Sequence, residues 1–379
     1  MERILITGGA GFIGSHLCQR LVSLGFEVTV YDNLSPQIHG FAEHLGLPPE
    51  AAFLKGDIRD RDGLETALEG QDIVVHLAAE TGTGQSMYEL TRYEQVNVYG
   101  TALLMDLITR QKVRTVRKVV VASSRAIYGE GAYRCVVHGI VYPKTRTFDD
   151  MSDGEFDCRC PHCGQICESA PTEEHCPFSP SSYYGITKQV QEQTVLLVGQ
   201  SLGISAYALR YQNVYGPGQS LANPYTGILA VFTNLARANR PIRIFEDGKE
   251  SRDFVHVQDV VDATCLAIAQ PGTEIDRFNV GGGEKVDVLT VAQTVVDFFR
   301  STSKIEVTGE FRTGDIRHNL ANLSYVQRRL GYRPKRIFKL GVAEFLSWAA
   351  LRELKDNGFA NSMDELRSRG LLNAVSLKG

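Results

Sequence analysis

No apolar run in this chain approaches the ~20 residues of a membrane-spanning helix, so nothing in it reads as a transmembrane segment. No secretory leader is expected either. Met1-Glu2-Arg3 leads straight into a strand pattern, with no h-region and no small-residue cleavage site. The expected location is therefore the cytoplasm. No basic block stands out, and the formal charge is −4, which argues against a nucleic-acid partner. Cysteine is sparse over most of the length. Of eight, Cys18 and Cys265 lie in helical patterns and suit small buried positions. The other six fall between Cys135 and Cys176, and in a reducing compartment such a cluster reads as metal-binding before it reads as disulfides.

The 379 residues, 43 % of them apolar, are enough for two domains or for one large domain with additions. Arg3 to Thr7 is a short, nearly all-apolar strand of the kind found in parallel sheets covered on both faces. Gly8, Gly11 and Gly14 follow in G-x-x-G-x-x-G spacing, with Phe12 and Ile13 between them and a helical pattern beyond. That context suits a dinucleotide pyrophosphate at a helix N-terminus. A second strand ends at Asp32-Asn33, where a carboxylate can accept both ribose hydroxyls of NAD and would repel the 2′-phosphate of NADP; a plain turn aspartate is the alternative. Residues 34–50 read as loop. Strands at Ala52–Lys55, Ile73–Ala79 and Arg117–Ala122 alternate with helices at Asp60–Leu68 and Thr91–Gln111, which predicts a doubly wound parallel sheet. Asp57 is expected at the adenine. Ala78 and Ala79 leave room for pyrophosphate and ribose. Tyr184 and Lys188, four apart at the start of a helix, put an ammonium beside a phenol and are expected to lower its pKa into the range of a usable base. Tyr183 competes for that role, but its i+4 neighbour is the uncharged Thr187.

The glycine turn, Asp32, Asp57-Ile58, His76-Leu77-Ala78-Ala79, Asn97, Ser124-x-x-x-Tyr128-Gly129 and Tyr184-x-x-x-Lys188 occur together and in order. The chain resembles the extended short-chain dehydrogenase/reductases of the nucleotide-sugar epimerase and dehydratase group, over nearly its whole length apart from residues 131–178 and the tail. The resemblance implies a Rossmann-like NAD-binding domain over 1–213. Residues 214–379 would form mainly a smaller substrate domain, with some segments returning to the first. It implies Ser124, Tyr184 and Lys188 as catalytic residues, with Gly8, Gly11, Phe12, Ile13, Gly14, Asp32, Asn33, Asp57, Ile58, Leu77, Ala78, Ala79 and Asn97 around the cofactor. Ser124, Arg125, Asn213, Arg252 and Arg317 would meet a nucleotide-diphosphate sugar, the two later arginines at its diphosphate. Turn chemistry at Asn213 and surface ion pairs at the arginines are the alternatives. It also implies a homodimer formed through helices at 91–111 and 181–202, whose apolar faces core packing would explain equally well.

Between Ser124 and Tyr184 lies an insert carrying Cys135-Val136-Val137-His138-Gly139 and Cys160-Pro161-His162-Cys163-Gly164. Two-residue spacing lets both side chains of each turn reach one ion, and the glycine permits the turn. Cys135, His138, Cys160 and Cys163 are the expected ligands of a structural zinc in a zinc-ribbon-like segment. Cys158, Cys167, Cys176 and His162 are alternates, and a metal-free loop remains open.

A base, a hydride acceptor and diphosphate anchors suit transient oxidation of a sugar hydroxyl by NAD. Dehydratases of the resembled family carry an Asp-Glu pair directly after the catalytic hydroxyl residue; here Arg125 and Ala126 stand there. C4 epimerisation is therefore the leading expectation. A narrower likeness to dTDP-L-rhamnose 4-epimerases rests on Ala122–Gly129, the cysteine-bearing insert and Gln212–Gln219. A nucleotide-4-ketosugar reductase and a non-catalytic NAD-sensing zinc-ribbon protein stay open as alternatives.

Overall fold

The structure is a computed structural model that describes residues 2–39, 46–111, 115–223, 225, 227–354 and 358–375. Its centre is a seven-stranded sheet, parallel throughout: β1 (Arg3–Thr7), β2 (Glu27–Asp32), β3 (Ala52–Lys55), β4 (Ile73–His76), β5 (Lys118–Ser124), β6 (Ser205–Tyr211) and β7 (Ile275–Val280). The spatial order is β7-β6-β5-β4-β1-β2-β3. The chain reverses direction of travel between β1 and β4, and in such sheets the crevice beyond the strand ends at that point is where ligands bind. The central strands are runs of β-branched and small apolar residues, and β4, β5 and β6 are buried along their whole length. Helices α1 (Phe12–Ser23) and α5 (Val257–Ala269) pack one face of the sheet, with Leu17, Leu21, Val260 and Ala263 in that core. Helices α2 (Arg61–Leu68), α3 (Gly100–Arg110) and α4 (Tyr183–Leu202) pack the other, through Leu64, Leu104 and Val195.

Two elements differ from the sequence expectation. Strand β7, drawn from late in the chain, pairs with β6 from Ala206 to Tyr211. The helix expected at 91–111 is three pieces: an α-turn at Leu90–Tyr93, a π-helical stretch at Glu94–Tyr99, then α3. The wider stretch turns Asn97 fully inward, where it is clamped as described below. Of the loop 34–50, Pro36–His39 is a helical turn, and residues 40–45 lie outside the described residues.

A separate core gathers Leu229, Phe232, Phe254, Val291, Val295, Phe345 and Leu346 from the later half of the chain. The insert forms a hairpin of Tyr133–Cys135 with Gly139–Val141, flanked by Glu168–Ser169. It is bound to the rest by buried ion pairs. Arg146 reaches Glu130 at 3.0 Å and Glu246 at 2.8 Å, with all three side chains at most 4 % exposed.

Candidate active site and metal centre

A cavity of about 450 Å³ opens beyond the ends of β1, β4, β5 and β6. Its floor is the glycine turn. Gly8 has φ +69°, and a Cβ there would lie 2.7 Å from the Ala78 nitrogen, so only glycine lets the two turns meet. Gly11 begins α1 in extended conformation, leaving the helix's first N–H groups facing the cavity. Asp32 is buried at its wall and accepts from the Ala10 and Leu34 N–H groups at 3.1 and 2.9 Å. This cradle of glycine, helix N-terminus and buried carboxylate fits a dinucleotide. Phe12, Ile13, Gly14, Asn33, Ile58, Leu77, Ala78 and Ala79 line the same cavity. Asp57 does not. It stands behind Asn33, whose Nδ2 donates to it at 3.0 Å, and Arg59 grips it from the other side. Those bonds hold the Asp57 carboxyl down at about 2. Asn97 is also set back from the wall. Its Oδ1 accepts from the Glu80 N–H at 2.7 Å, and its Nδ2 donates to Thr187 Oγ1 at 2.9 Å, tying the loop after β4 to α4.

At the far end of the cavity stand Ser124, Arg125, Tyr184 and Lys188. Helix α4 starts where it does because Ser182, extended, accepts from the Gly185 N–H at 3.2 Å. A Cβ on Gly185 would sit 2.5 Å from the Ala126 carbonyl oxygen, so glycine here lets the turn after β5 press against the helix carrying Tyr184. Ser124 Oγ accepts from the Ala126 N–H at 3.1 Å, which leaves its own proton to donate. Lys188 Nζ donates to Gln191 Oε1 at 2.8 Å. The Gln191 amide in turn meets Thr101 at 2.7 Å and His76 at 3.2 Å, and His76 contacts Thr7 under the glycine turn. Burial pushes Lys188 down to about 7 and His76 to about 3. The expected lowering of the Tyr184 pKa by Lys188 is not what this structure has. Burial raises the phenol above its ordinary value, and the opposing influences are a hydrogen bond with Ser124 and the charge of Arg125.

On the third wall Asn213 is joined by Gln212 and Gln219, and each has a buried carboxamide oxygen without a hydrogen-bond partner. Buried unpaired acceptors on a cavity wall suit N–H and O–H groups of a ligand. Set back from the cavity lining, Asp315 is the centre of a basic group that includes the sequence-predicted Arg252. Arg252 reaches it at 3.1 Å and Arg312 at 2.7 Å, and with Arg125 and Arg146 nearby its carboxyl stays well below the usual range. Arg317 stands elsewhere, contrary to the expectation of a diphosphate ligand. It is 1 % exposed, and its guanidinium is taken up by Asp157 at 2.9 Å, Asp247 at 2.6 Å and Glu246 at 3.1 Å. Its donors are committed to fastening the insert. In the same segment Arg312 keeps a buried Nε with no hydrogen-bond partner. Its signal was its place directly before Thr313-Gly314-Asp315, next to the carboxylate that also holds Arg252.

Within the insert, the ligand atoms of Cys135, His138, Cys160 and Cys163 lie within 4.8 Å of one another. Cys135 Sγ is 3.6 Å from His138 Nδ1 and 3.7 Å from Cys163 Sγ, and Cys160 Sγ is 3.5 Å from His138 Nδ1. The His162 N–H points at Cys160 Sγ at 3.5 Å. Gly139 and Gly164 take the left-handed conformation that the two turns need. Of the alternates, Cys158 is buried beside Tyr133 and Glu130, and Cys176 packs on Ile127 and Tyr128. Cys167 is buried next to the cluster, and the His162 ring meets His138 at 5.1 Å, tilted by 45°.

Sequence reasoning missed the cavity residues Thr81, Gly82, Asn223 and Tyr225, which sit in irregular segments with no periodicity. It also could not place the tail. Helix Phe359–Ser368 comes to the cavity rim, where Tyr88 Oη meets Tyr225 Oη at 2.7 Å and donates to Glu365 at 3.2 Å. Strand Leu372–Ala374 then pairs with Glu310–Arg312, the strand leading to Asp315.

Comparison with known proteins matches residues 4–145 and 161–281 to the NAD dependent epimerase/dehydratase family. A dTDP-L-rhamnose 4-epimerase of Burkholderia thailandensis is 38 % identical, covering 92 % of this chain and 95 % of that protein. A putative UDP-glucose 4-epimerase of Methanocaldococcus jannaschii is 28 % identical, covering 91 % and 97 %. Among solved structures, UDP-glucose 4-epimerase of Thermotoga maritima with UDP-glucose has a TM-score of 0.74 at 28 % identity, covering 92 % of this chain and 98 % of that one. The Thermus thermophilus UDP-glucose 4-epimerase complex with NAD has a TM-score of 0.73 at 27 % identity, covering 92 % and 100 %.

Proposed function

This chain belongs to the NAD dependent epimerase/dehydratase family, and on that premise we propose that it is an NAD-dependent nucleotide-sugar 4-epimerase acting on dTDP-L-rhamnose or a related dTDP- or UDP-hexose. The observation that carries the reading is the convergence of Ser124, Tyr184 and Lys188 with the Gly8–Ala78 cradle and Asp32 on one cavity. Bound NAD supplies a reversible hydride acceptor for the sugar's C4. The chain's own residues move the proton. Tyr184 Oη takes it from the C4 hydroxyl, and Ser124 donates a hydrogen bond to the reacting oxygen. Lys188 stays on the cofactor side, and Arg252 and Arg312 hold the diphosphate, for which guanidinium forks suit charge and geometry. No carboxylate stands at positions 125 or 126 to drive loss of water, which favours epimerisation over dehydration. The named substrate draws support from the Burkholderia thailandensis relative.

The insert is read as a zinc knuckle pair with Cys135, His138, Cys160 and Cys163 as ligands. Zn–S of about 2.3 Å and Zn–N of about 2.0–2.1 Å in a tetrahedron require ligand separations of roughly 3.6–3.8 Å. Three of the six separations between these side chains, at 3.5–3.7 Å, support that fit, and all six lie within 4.8 Å. With four protein ligands the ion would be structural. Exposed Leu90, Tyr99, Ile186 and Leu197 on the segment 90–110 and α4 support a homodimer. Among the described residues no helix is long and apolar enough to cross a membrane. A thiol cluster kept reduced suits the cytoplasm.

The test is to supply dTDP-L-rhamnose and UDP-glucose without added reductant and to follow the C4 epimers by NMR. Interconversion with no net change in reduced nicotinamide is expected. A steady net change would make it a ketosugar reductase, and no conversion across a nucleotide-sugar panel would make it a sensor.

A further inference from the structure

Helix Phe359–Ser368 takes no part in the chemistry above, yet it holds one residue of the cavity wall. Glu365 Oε2 accepts from Tyr88 Oη at 3.2 Å, and Tyr88 Oη meets Tyr225 Oη at 2.7 Å. Tyr88 has a single proton and the carboxylate takes it, so Tyr225 is the donor in the second bond. Arg369, the residue after the helix, locks this relay. It donates to Glu365 Oε1 at 3.0 Å and covers the Tyr88 ring at 4.5 Å. Leu366 is buried against Gly84, where an added Cβ would meet it at 3.7 Å. Of these residues Tyr225 alone lines the cavity.

The wall that Tyr225 forms adjoins the reacting end. Gly82 has φ +114°, and a Cβ there would lie 3.3 Å from both Tyr225 Cβ and Tyr93 Oη, so glycine lets the two tyrosines flank one turn. The Tyr93 ring meets Tyr184 edge-on at 6.4 Å, and Ser86 Oγ accepts from the Tyr184 N–H at 3.0 Å. The segment Gly82–Tyr88 is thus fastened to the start of α4 through Ser86 and to helix Phe359–Ser368 through Gly84 and Tyr88. We propose that Tyr225 is a wall of the hexose subsite, and that Tyr88 and Glu365 act through it as positioning residues, so that the late helix sets how well the sugar is held. A tyrosine pairs an apolar ring with a polar tip, which suits the C–H faces and hydroxyls of a hexose. This rests on the nucleotide-sugar reading given above.

Isothermal titration of the NAD-loaded full chain with UDP-glucose and dTDP-L-rhamnose, and separately with UDP and dTDP, isolates the sugar's share. Tyr225→Ala should weaken nucleotide-sugar binding about tenfold and leave binding of the bare diphosphate within about twofold. Tyr88→Phe removes the relay without altering the cavity lining, and should cost the sugar about threefold or more, the worth of a neutral hydrogen bond. Glu365→Ala should do the same, whereas Glu365→Gln keeps an acceptor for Tyr88 and should stay within about twofold of wild type. Sugar affinity unchanged in Tyr225→Ala, or weakened no more than diphosphate affinity, would overturn the proposal. A loss in Tyr225→Ala that Tyr88→Phe does not share would overturn the part given to the helix. Should Tyr225→Ala not fold, Tyr88→Phe decides alone by the same comparison of sugar with diphosphate. Wild type that binds neither nucleotide sugar nor diphosphate would sink the function itself; wild type that binds both, with variants that match it, sinks this wall only.

Discussion

Arg146→Met should be the most damaging single change outside the cavity. The guanidinium donates to Glu130 at 3.0 Å, to Glu246 at 2.8 Å, and to the carbonyls of Phe156 and Asp315 at 3.1 and 3.0 Å. Methionine fills similar volume and makes none of these bonds. It leaves two carboxylates inside the protein, one of them on a side chain with no exposed surface. Breaking a buried pair by removing one partner costs about 3–5 kcal/mol. Arg317 also reaches Glu246, at 3.1 Å, and its N–H reaches Glu130, so the loss should fall toward the lower end of that range. For a chain of 379 residues, at about 2.1 cal/mol/K of unfolding entropy per residue, that is a fall in melting midpoint of roughly 4 °C. Scanning calorimetry measures it. Adding Glu130→Gln to Arg146→Met should recover part of the loss, because the stranded charge is gone. A loss below about 1 kcal/mol, the value of an exposed pair, would refute the reasoning, as would a double variant no better than the single one.

Other changes separate roles that the sequence alone confuses. Arg312→Met should raise the KM for the nucleotide sugar about tenfold or more with little change in melting temperature, since losing a charged hydrogen bond costs about 1.5–3 kcal/mol. Arg317→Met should instead lower the melting temperature by several degrees through its stranded carboxylates, and calorimetry beside steady-state kinetics tells the two apart. Asp57 has a folded pKa depressed from 3.8 to about 2, so its contribution is present above its unfolded value and is lost as pH falls through the folded one. The stability gap between wild type and Asp57→Asn should therefore be full at pH 7 and close between about pH 4 and 2, by denaturant titration across that window. Chelation of the proposed zinc should raise the KM for the sugar and leave NAD affinity nearly intact, because strand Tyr133–Cys135 connects through Glu130 to the turn carrying Arg125, while the glycine turn lies across the sheet. Isothermal titration with NAD before and after chelation checks that split.

What could be read in advance follows locality. Strands β1 to β5 announce themselves because each is a short apolar run closed by a turn, and the glycine turn because close approach demands glycine at fixed spacing. The clustering of Cys135, His138, Cys160 and Cys163 was legible for the same reason: each turn carries its pair at two-residue spacing. β7 was not, since Ile275–Val280 is interrupted by Asp276, Arg277 and Asn279 and pairs with a strand far upstream. Nor could Arg317 be told from Arg312. Both lie near Asp315, and only the fold brings Asp157 and Asp247 onto the former. The Tyr184–Lys188 spacing correctly put the two on one helix, but spacing says nothing of burial, which dominates both pKa values.

Because β7 completes the sheet so late, the newborn chain has a long exposed interval. When Tyr211 has left the ribosome, β6 is in place beside β5, yet its other edge stays unpaired until Val280 emerges. At about 5–20 residues per second this lasts on the order of ten seconds. For that time a strand buried along its whole length in the finished protein offers bare N–H and C=O groups to any passing strand. Slowing synthesis between the two strands, or truncating before Ile275, should send the nascent protein toward aggregation or chaperone capture, and supplying β7 early by circular permutation should relieve it.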